Sequence, residues 1–276
     1  MNIESYFQGK SVVITGGSSG IGLAIAKQAV RFGAEVHLVA RRRSLLEEAK
    51  AAIVAATPRA SVSVIDVDVS RWDDVDAKMT QHFASRPVDM LVNNAGIAKP
   101  GKFLELPLEE FRNQMDVNYF GAVHMCRALI PKMIGSGRGG GHVVNVSSLA
   151  GVIGIFGYTA YTPTKFALSG FSQVLRAEMW PHNVRVSVVL PPDTDTPQLA
   201  FENQFKPAET KAIAGTVKTL SAEQVAAAIL RGMANNDFEI YCDAASRMSA
   251  IAQGVVPGVV RFFCDTAQKK VGRTES

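Results

Sequence analysis

Residues Ser11–Gly22 read SVVITGGSSGIG. Ser11–Thr15 is a short run rich in Val and Ile, bounded by glycine, which is the pattern of a buried strand. Gly16, Ser18, Ser19, Gly20, Ile21 and Gly22 follow in a glycine-rich turn, and apolar residues at helical spacing then run over Gly20–Phe32 to Gly33. Glycines let the backbone turn tightly and approach a pyrophosphate, and the start of the helix offers free N–H groups at its positive dipole end. A glycine-rich turn alone is a weak signal. Its place between a first strand and a first helix is the context that gives it meaning.

The same alternation continues along the chain. Further strands are expected over Glu35–Ala40, Ser61–Val67, Val88–Asn93, His142–Ser147, Val184–Leu190 and Phe238–Cys242. Helices are expected over Ser44–Thr57, Trp72–Ser85, Leu108–Ile134, Tyr161–Trp180 and Ser221–Asn235. Ser44 with Glu47, and Ser221 with Gln224, have the spacing of capping boxes. Apolar strands alternating with helices imply an α/β protein with a Rossmann-type, doubly wound parallel sheet of about seven strands, covered by helices on both faces. No linker or repeat divides residues 1–276, so one domain is expected. Residues 191–219 form an insertion suited to a lid. Residues 247–276 form an apolar C-terminal segment interrupted by Gly254, Pro257, Gly258 and Arg261.

Composition narrows the classes. Hydrophobic residues make up 47% and charged residues 20%, enough for a large core, and the net charge of +4 gives no case for nucleic acid. Three well-separated cysteines suggest a reducing compartment and no metal site. The N-terminus has no signal-peptide pattern, and no run approaches about 18 uninterrupted apolar residues. A cytoplasmic enzyme is expected, with the C-terminal segment able to rest on a membrane surface or against a partner subunit.

The end of the second strand selects the cofactor. An NAD site places an acid there for the ribose 2′-hydroxyl. Here the strand ends in Ala40-Arg41-Arg42, and a guanidinium suits a 2′-phosphate. NADPH/NADP+ is therefore the expected cofactor, with Arg41 as main ligand and Arg42 or Ser18 assisting.

The Gly-x-x-x-Gly-x-Gly spacing resembles the short-chain dehydrogenase/reductase family. That resemblance implies further cofactor contacts at Asp68 and Val69 in DVDVS, and at Asn94, Ala95 and Gly96 in NNAG.

Tyr161 and Lys165 stand four residues apart, one turn of a helix. A free phenol has a pKa near 10 and is a poor acid at neutral pH, but a nearby ammonium favours the phenolate. Such a pair suits proton donation to a developing alkoxide. Tyr-x-x-x-Lys is common by chance, and its companions decide. Ser148 lies 13 residues before Tyr161, and Asn118 sits in DVNYFG. The resemblance implies that Ser148 binds the substrate carbonyl, that Lys165 also binds the nicotinamide ribose, and that Asn118 holds a water in a proton relay.

After the sixth strand the chain reads PPDTDTP over residues 191–197. Pro192 stands where the family has glycine, while Pro191, Thr194 and Thr196 remain as expected cofactor contacts. The wider stretch, with Glu202-Asn203, Lys206-Pro207 and Glu209-Thr210, is similar to the branch that reduces 3-ketodihydrosphingosine. The substrate implied is a long-chain 2-amino-3-ketone. Its chain would be covered by Val152, Ile153, Ile155, Phe156, Leu199 and Phe201, of which Ile155, Leu199 and Phe201 are the foremost candidates. The family also implies a homo-oligomer. Two readings compete: an NADP-dependent reductase of another carbonyl, such as a 3-oxoacyl thioester or a steroid, and a non-catalytic NADPH sensor.

Overall fold

The computed structural model describes residues 2–214 and 218–272. The expected lid therefore has three residues, 215–217, outside the described residues, and the expected C-terminal segment has four, 273–276.

A short helix α1 (Ile3–Phe7) precedes strand β1 (Ser11–Thr15) and helix α2 (Gly20–Arg31). Then come β2 (Glu35–Ala40), α3 (Arg43–Ala56), β3 (Val62–Asp66), α4 (Trp72–His82) and β4 (Met90–Asn93). Helices α5 (Leu108–Met115) and α6 (Gly121–Gly135) lead to β5 (Gly141–Val146), α7 (Thr162–Met179) and β6 (Val184–Leu190). The insertion holds β7 (Thr194–Asp195), α8 (Pro197–Glu202), α9 (Ala208–Ala214) and β8 (Leu220–Ser221). Helix α10 (Ala222–Asn235), strand β9 (Glu239–Tyr241) and helices α11 (Ala244–Val255) and α12 (Pro257–Gly272) complete the chain's described elements.

Seven strands form one parallel sheet in the order β3-β2-β1-β4-β5-β6-β9, as the alternation implied. Side chains alternate between its faces. Val12 and Ile14 of β1 join a core with α2, α3 and α10, while Val13 joins a core with α4 and α6. Met90 and Val92 of β4 face the first core and Leu91 the second. The middle of β1 and of β4 is thus apolar on both faces. The strand order reverses between β1 and β4, and a crevice opens there at the carboxyl ends of the strands, the usual ligand site of such sheets.

Two local expectations are corrected. The Ser44–Glu47 capping box does not form: α3 starts at Arg43, its N-cap Arg42 makes no side-chain cap, and Glu47 accepts instead from Arg43 at 3.2 Å. An arginine at the first helical position could reach both Glu47 and Asp66, which moved the start forward by a residue. The Ser221–Gln224 box does form. The expected helix Leu108–Ile134 is interrupted by a π turn over Asp116–Phe120. Helix α1 and the small β7–β8 pairing had no clear sequence signal, since a five-residue helix and two-residue strands carry too little periodicity.

Candidate active site

The crevice is a cleft of about 1080 Å³, counting its open mouth. One wall is the glycine turn. Gly16 has φ +64°, in the region only glycine occupies without strain, and a side chain there would meet Asn94 and Ala95. Gly22 sits so close that a Cβ would strike the Gly16 carbonyl oxygen and approach Asn94 Nδ2 to 2.6 Å. Thr15 fastens this turn to the next strand tip: its hydroxyl accepts from the backbone N–H groups of Asn94 and Ala95, both at 2.9 Å. Asn94 Nδ2 donates back to the Thr15 carbonyl at 3.0 Å. Ser19 caps α2 with backbone only, so the first N–H groups of that helix remain free to receive an anion.

These features fit a dinucleotide. The cradle is one that a Cβ would fill, and the helix start lacks a side-chain cap. The end of β2 abuts the turn through Gly17 N–H to Val39 O at 3.3 Å. Arg41 and Arg42 are exposed there and form no ion pair among the described residues, whereas Arg43 is engaged with Asp66 and Glu47.

The opposite wall carries the expected chemistry. Ser148, Tyr161 and Lys165 line the cleft together with Gly16, Ser18, Ser19, Gly20, Ile21, Asn94, Ala95 and Gly96. Tyr161 immediately precedes α7, whose Pro163 suits a first turn, and Lys165 follows one turn on. Lys165 Nζ donates to Val146 O at 3.0 Å. Ser147 spends its hydroxyl on Lys165 O and Ser169, whereas Ser148 Oγ accepts from Ala150 N at 3.1 Å and faces Tyr161.

Burial dominates the ionisation of both groups. It pushes the Tyr161 phenol well above its ordinary range; the Glu202 carboxylate adds to this, Ser148 opposes it, and Asp193 adds further. Burial lowers Lys165 to about 8, with Glu202 acting in the other direction. Burial thus sets the direction for the phenol in the protein alone, opposite to the depression expected from its lysine.

Asn118 lies in the π turn and is almost fully buried, outside the cleft wall. Its Oδ1 accepts from Ile97 N at 2.8 Å, and its Nδ2 donates to Ile97 O at 2.9 Å and to Thr164 Oγ1 at 3.0 Å. Thr164 Oγ1 in turn donates to Tyr161 O at 2.7 Å. The Asn118 side chain thus ties the Gly96–Ile97 loop to the start of α7.

Arg41, Arg42, Asp68, Val69 and Gly22 are not among the residues that line the cleft. Asp68 accepts from Ser70 N and Oγ at 3.1 and 2.7 Å, and Val69 is buried. Of the apolar cover, Ile155 and Leu199 line the cleft, but Val152, Ile153, Phe156 and Phe201 do not. Phe201 is the correction among the foremost candidates: it is 45% exposed, and its ring packs on Phe205 at 5.0 Å. It falls on the outer side of α8, which two turns of helix could not reveal.

Polar contacts fasten the insertion that follows β6. Pro191 O accepts from Leu149 N at 3.0 Å, and Pro192 O accepts from Thr194 Oγ1 at 2.9 Å. Thr196 caps α8 by accepting from Leu199 N. Lys206 is buried and pairs with Asp193 at 2.9 Å, and Thr210 Oγ1 donates to Phe156 O at 2.8 Å. Tyr158 Oη donates to Glu202 Oε2 at 2.7 Å. Thr15 and Tyr158 make contacts at this site and were not singled out in the sequence, and Glu202 was singled out only as part of the stretch similar to the sphingoid branch.

The model of the short chain dehydrogenase family matches residues 10–207, which include both walls of the cleft. The chain belongs to the short-chain dehydrogenase family. This dehydrogenase is 44% identical over 234 residues to the 3-dehydrosphinganine reductase of Danio rerio, covering 83% of this chain and 70% of that one. It is 43% identical over 254 residues to the 3-ketodihydrosphingosine reductase of Bos taurus, covering 90% and 76%. Among solved structures, the dehydrogenase resembles a short-chain dehydrogenase from Sphingobium yanoikuyae in complex with NADPH. The TM-score is 0.76 at 26% identity, covering 91% of this chain and 95% of that one.

Proposed function

We propose that this dehydrogenase reduces 3-ketodihydrosphingosine to dihydrosphingosine at the expense of NADPH, a step of sphingolipid synthesis. One observation carries the reading: the cleft joining the glycine turn to Tyr161 is flanked by an insertion whose buried Glu202, Lys206 and Thr210 belong to the segment similar to that branch. The sphinganine reductases named above support it.

Gly16, Ser18, Ser19, Gly20, Ile21 and the α2 N-terminus would hold the pyrophosphate, and Arg41 with Arg42 the 2′-phosphate. Asp68, Val69, Asn94, Ala95 and Gly96 would border the adenosine half and the ribose. Pro191, Thr194 and Thr196 would border the nicotinamide. NADPH, when bound, supplies the hydride for the carbonyl carbon. Ser148 donates a hydrogen bond to the carbonyl oxygen, and Tyr161 gives that oxygen its phenolic proton. Lys165, charged below about 8, binds the nicotinamide ribose and favours the phenolate that results. Asn118 holds the loop and helix between which a proton relay to Lys165 would run.

The apolar residues Met248, Val255, Val259, Phe262 and Phe263 are exposed on α11 and α12, where no helix among the described residues is long and apolar enough to cross a membrane. This face supports peripheral contact with the lipid surface that holds the substrate, on the cytoplasmic side. Exposed Phe166 and Val174 on α7 support a homo-oligomer through that helix.

The test is NADPH consumption by purified protein with 3-ketodihydrosphingosine, an acetoacetyl thioester and a steroid ketone. The sphingoid ketone should be turned over fastest. Preference for either competitor, or no turnover of the sphingoid ketone, overturns the reading.

A further inference from the structure

We infer that Glu202 is the counter-ion that receives the substrate's ammonium group, so that the enzyme selects 2-amino ketones over plain ketones. The inference rests on the function proposed above.

Glu202 ends α8, is 7% exposed and lines the same cleft as Tyr161. Its two oxygens accept from neutral donors only, Tyr158 Oη at 2.7 Å and Gln198 Nε2 at 2.9 Å. No cationic side chain lies within ion-pair distance of it among the described residues, because Lys206 is turned to Asp193 Oδ2. A carboxylate can accept about four hydrogen bonds. Glu202 therefore keeps acceptor capacity free inside a site that strongly penalises an unpaired charge. Asp193 also lines the cleft, but it is 37% exposed and already paired.

Position supports the same assignment. The Tyr158 ring, which carries the hydroxyl bound to Glu202, lies 5.6 Å from the Tyr161 ring. In a 2-amino-3-ketone the nitrogen is bonded to the carbon beside the carbonyl, about 2.5 Å from the reacting carbon by ordinary bond geometry. A carbonyl seated at Tyr161 thus places its ammonium in the part of the cleft that Tyr158 and Glu202 enclose. The proton that Tyr161 must release is held more firmly while Glu202 is unpaired. A bound ammonium neutralises that carboxylate and frees the phenol to act. A ketone without the amine leaves Glu202 unpaired, which is selection by penalty as well as by attraction.

The experiment compares 3-ketodihydrosphingosine with its 2-deamino analogue of equal chain length, using the full chain and NADPH. Wild type should show kcat/KM about 30-fold or more higher for the amine, the equivalent of about 2 kcal/mol for one unpaired partner. Glu202→Gln should lose about that factor on the amine and lose nothing on the analogue, so that the discrimination collapses. Equal losses on both substrates would make Glu202 a lid-shaping residue and overturn the assignment. Equal rates of wild type on both substrates would overturn it without any variant, so the test stands even if Glu202→Gln fails to fold. Wild type inactive on both ketones would instead overturn the proposed function itself.

Discussion

Lys165 Nζ stands 5.5 Å from the centroid of the Tyr161 ring and donates to the Val146 carbonyl at 3.0 Å. The ammonium is thus held against the ring inside a buried site that disfavours its charge. Its ionisation falls from the ordinary 10.5 to about 8, by burial first and against the pull of Glu202. A lysine with a lowered folded-state pKa destabilises the fold while both states are protonated. That cost disappears as pH rises from about 8 toward the unfolded value, because the unfolded chain then binds more protons. Wild type should therefore gain on Lys165→Met by up to about 3 kcal/mol between pH 7 and 10.5, measured by denaturant unfolding. Activity should run the other way, with kcat/KM declining above about 8 as the ammonium is lost. A stability gap flat with pH would contradict this.

Tyr161→Phe removes the proton donor and keeps the ring. Turnover should fall by about 10²–10⁴-fold, the range for a positioned general acid. NADPH affinity, read by fluorescence titration, should stay within about threefold, equivalent to less than 1 kcal/mol. Retained ketone reduction would remove Tyr161 from the chemistry.

Arg41 is exposed and unpaired at the end of β2, so its guanidinium is available to a 2′-phosphate. Arg41→Ala should weaken NADPH by about 10–100-fold, as for one or two charge-assisted hydrogen bonds, and leave NADH nearly unchanged. Parallel titrations of both nucleotides decide, and equal weakening would exclude a phosphate role.

Gly22→Ala places a methyl against the Gly16 carbonyl and Asn94 Nδ2. Neither neighbour can yield, since Asn94 is tied to Thr15 at 3.0 Å. The variant should lose about 1–3 kcal/mol of stability from overpacking. Thermal unfolding measures it, and an unchanged melting temperature would show that the turn can open.

Phe262 and Phe263 are both exposed on α12. Replacing both with Ser should release the protein from phosphatidylcholine vesicles in a sedimentation assay and leave turnover of a short-chain, soluble substrate intact. Unchanged vesicle binding would place the membrane contact elsewhere or nowhere.

The sheet was legible because its physics is local. Val12, Val13 and Ile14 are buried on both faces, so β1 reads as one apolar run, and the glycine turn after it has few other uses. The sequence also put Ser148, Tyr161 and Lys165 forward together, and all three line one cleft. The start of α3 was misjudged because a capping box competes with whatever charges lie nearby, and Arg43 reaches Asp66 across from the neighbouring strand. The π turn at Asn118 was not visible. It depends on a side chain that bonds Ile97 and Thr164, one from a separate loop and the other from a separate helix.

Local pattern therefore settled the parallel α/β fold, the phosphate turn and the Tyr161–Lys165 spacing, because period, glycine content and helix pitch are properties of neighbouring residues. Tertiary structure alone decided which way the residues of α8 face. Leu199 and Glu202 turn into the cleft and Phe201 out of it, although all three lie within one short helix. That choice follows from Lys206 pairing with Asp193, Thr210 with Phe156 and Glu202 with Tyr158, contacts that exist only once distant segments are packed together.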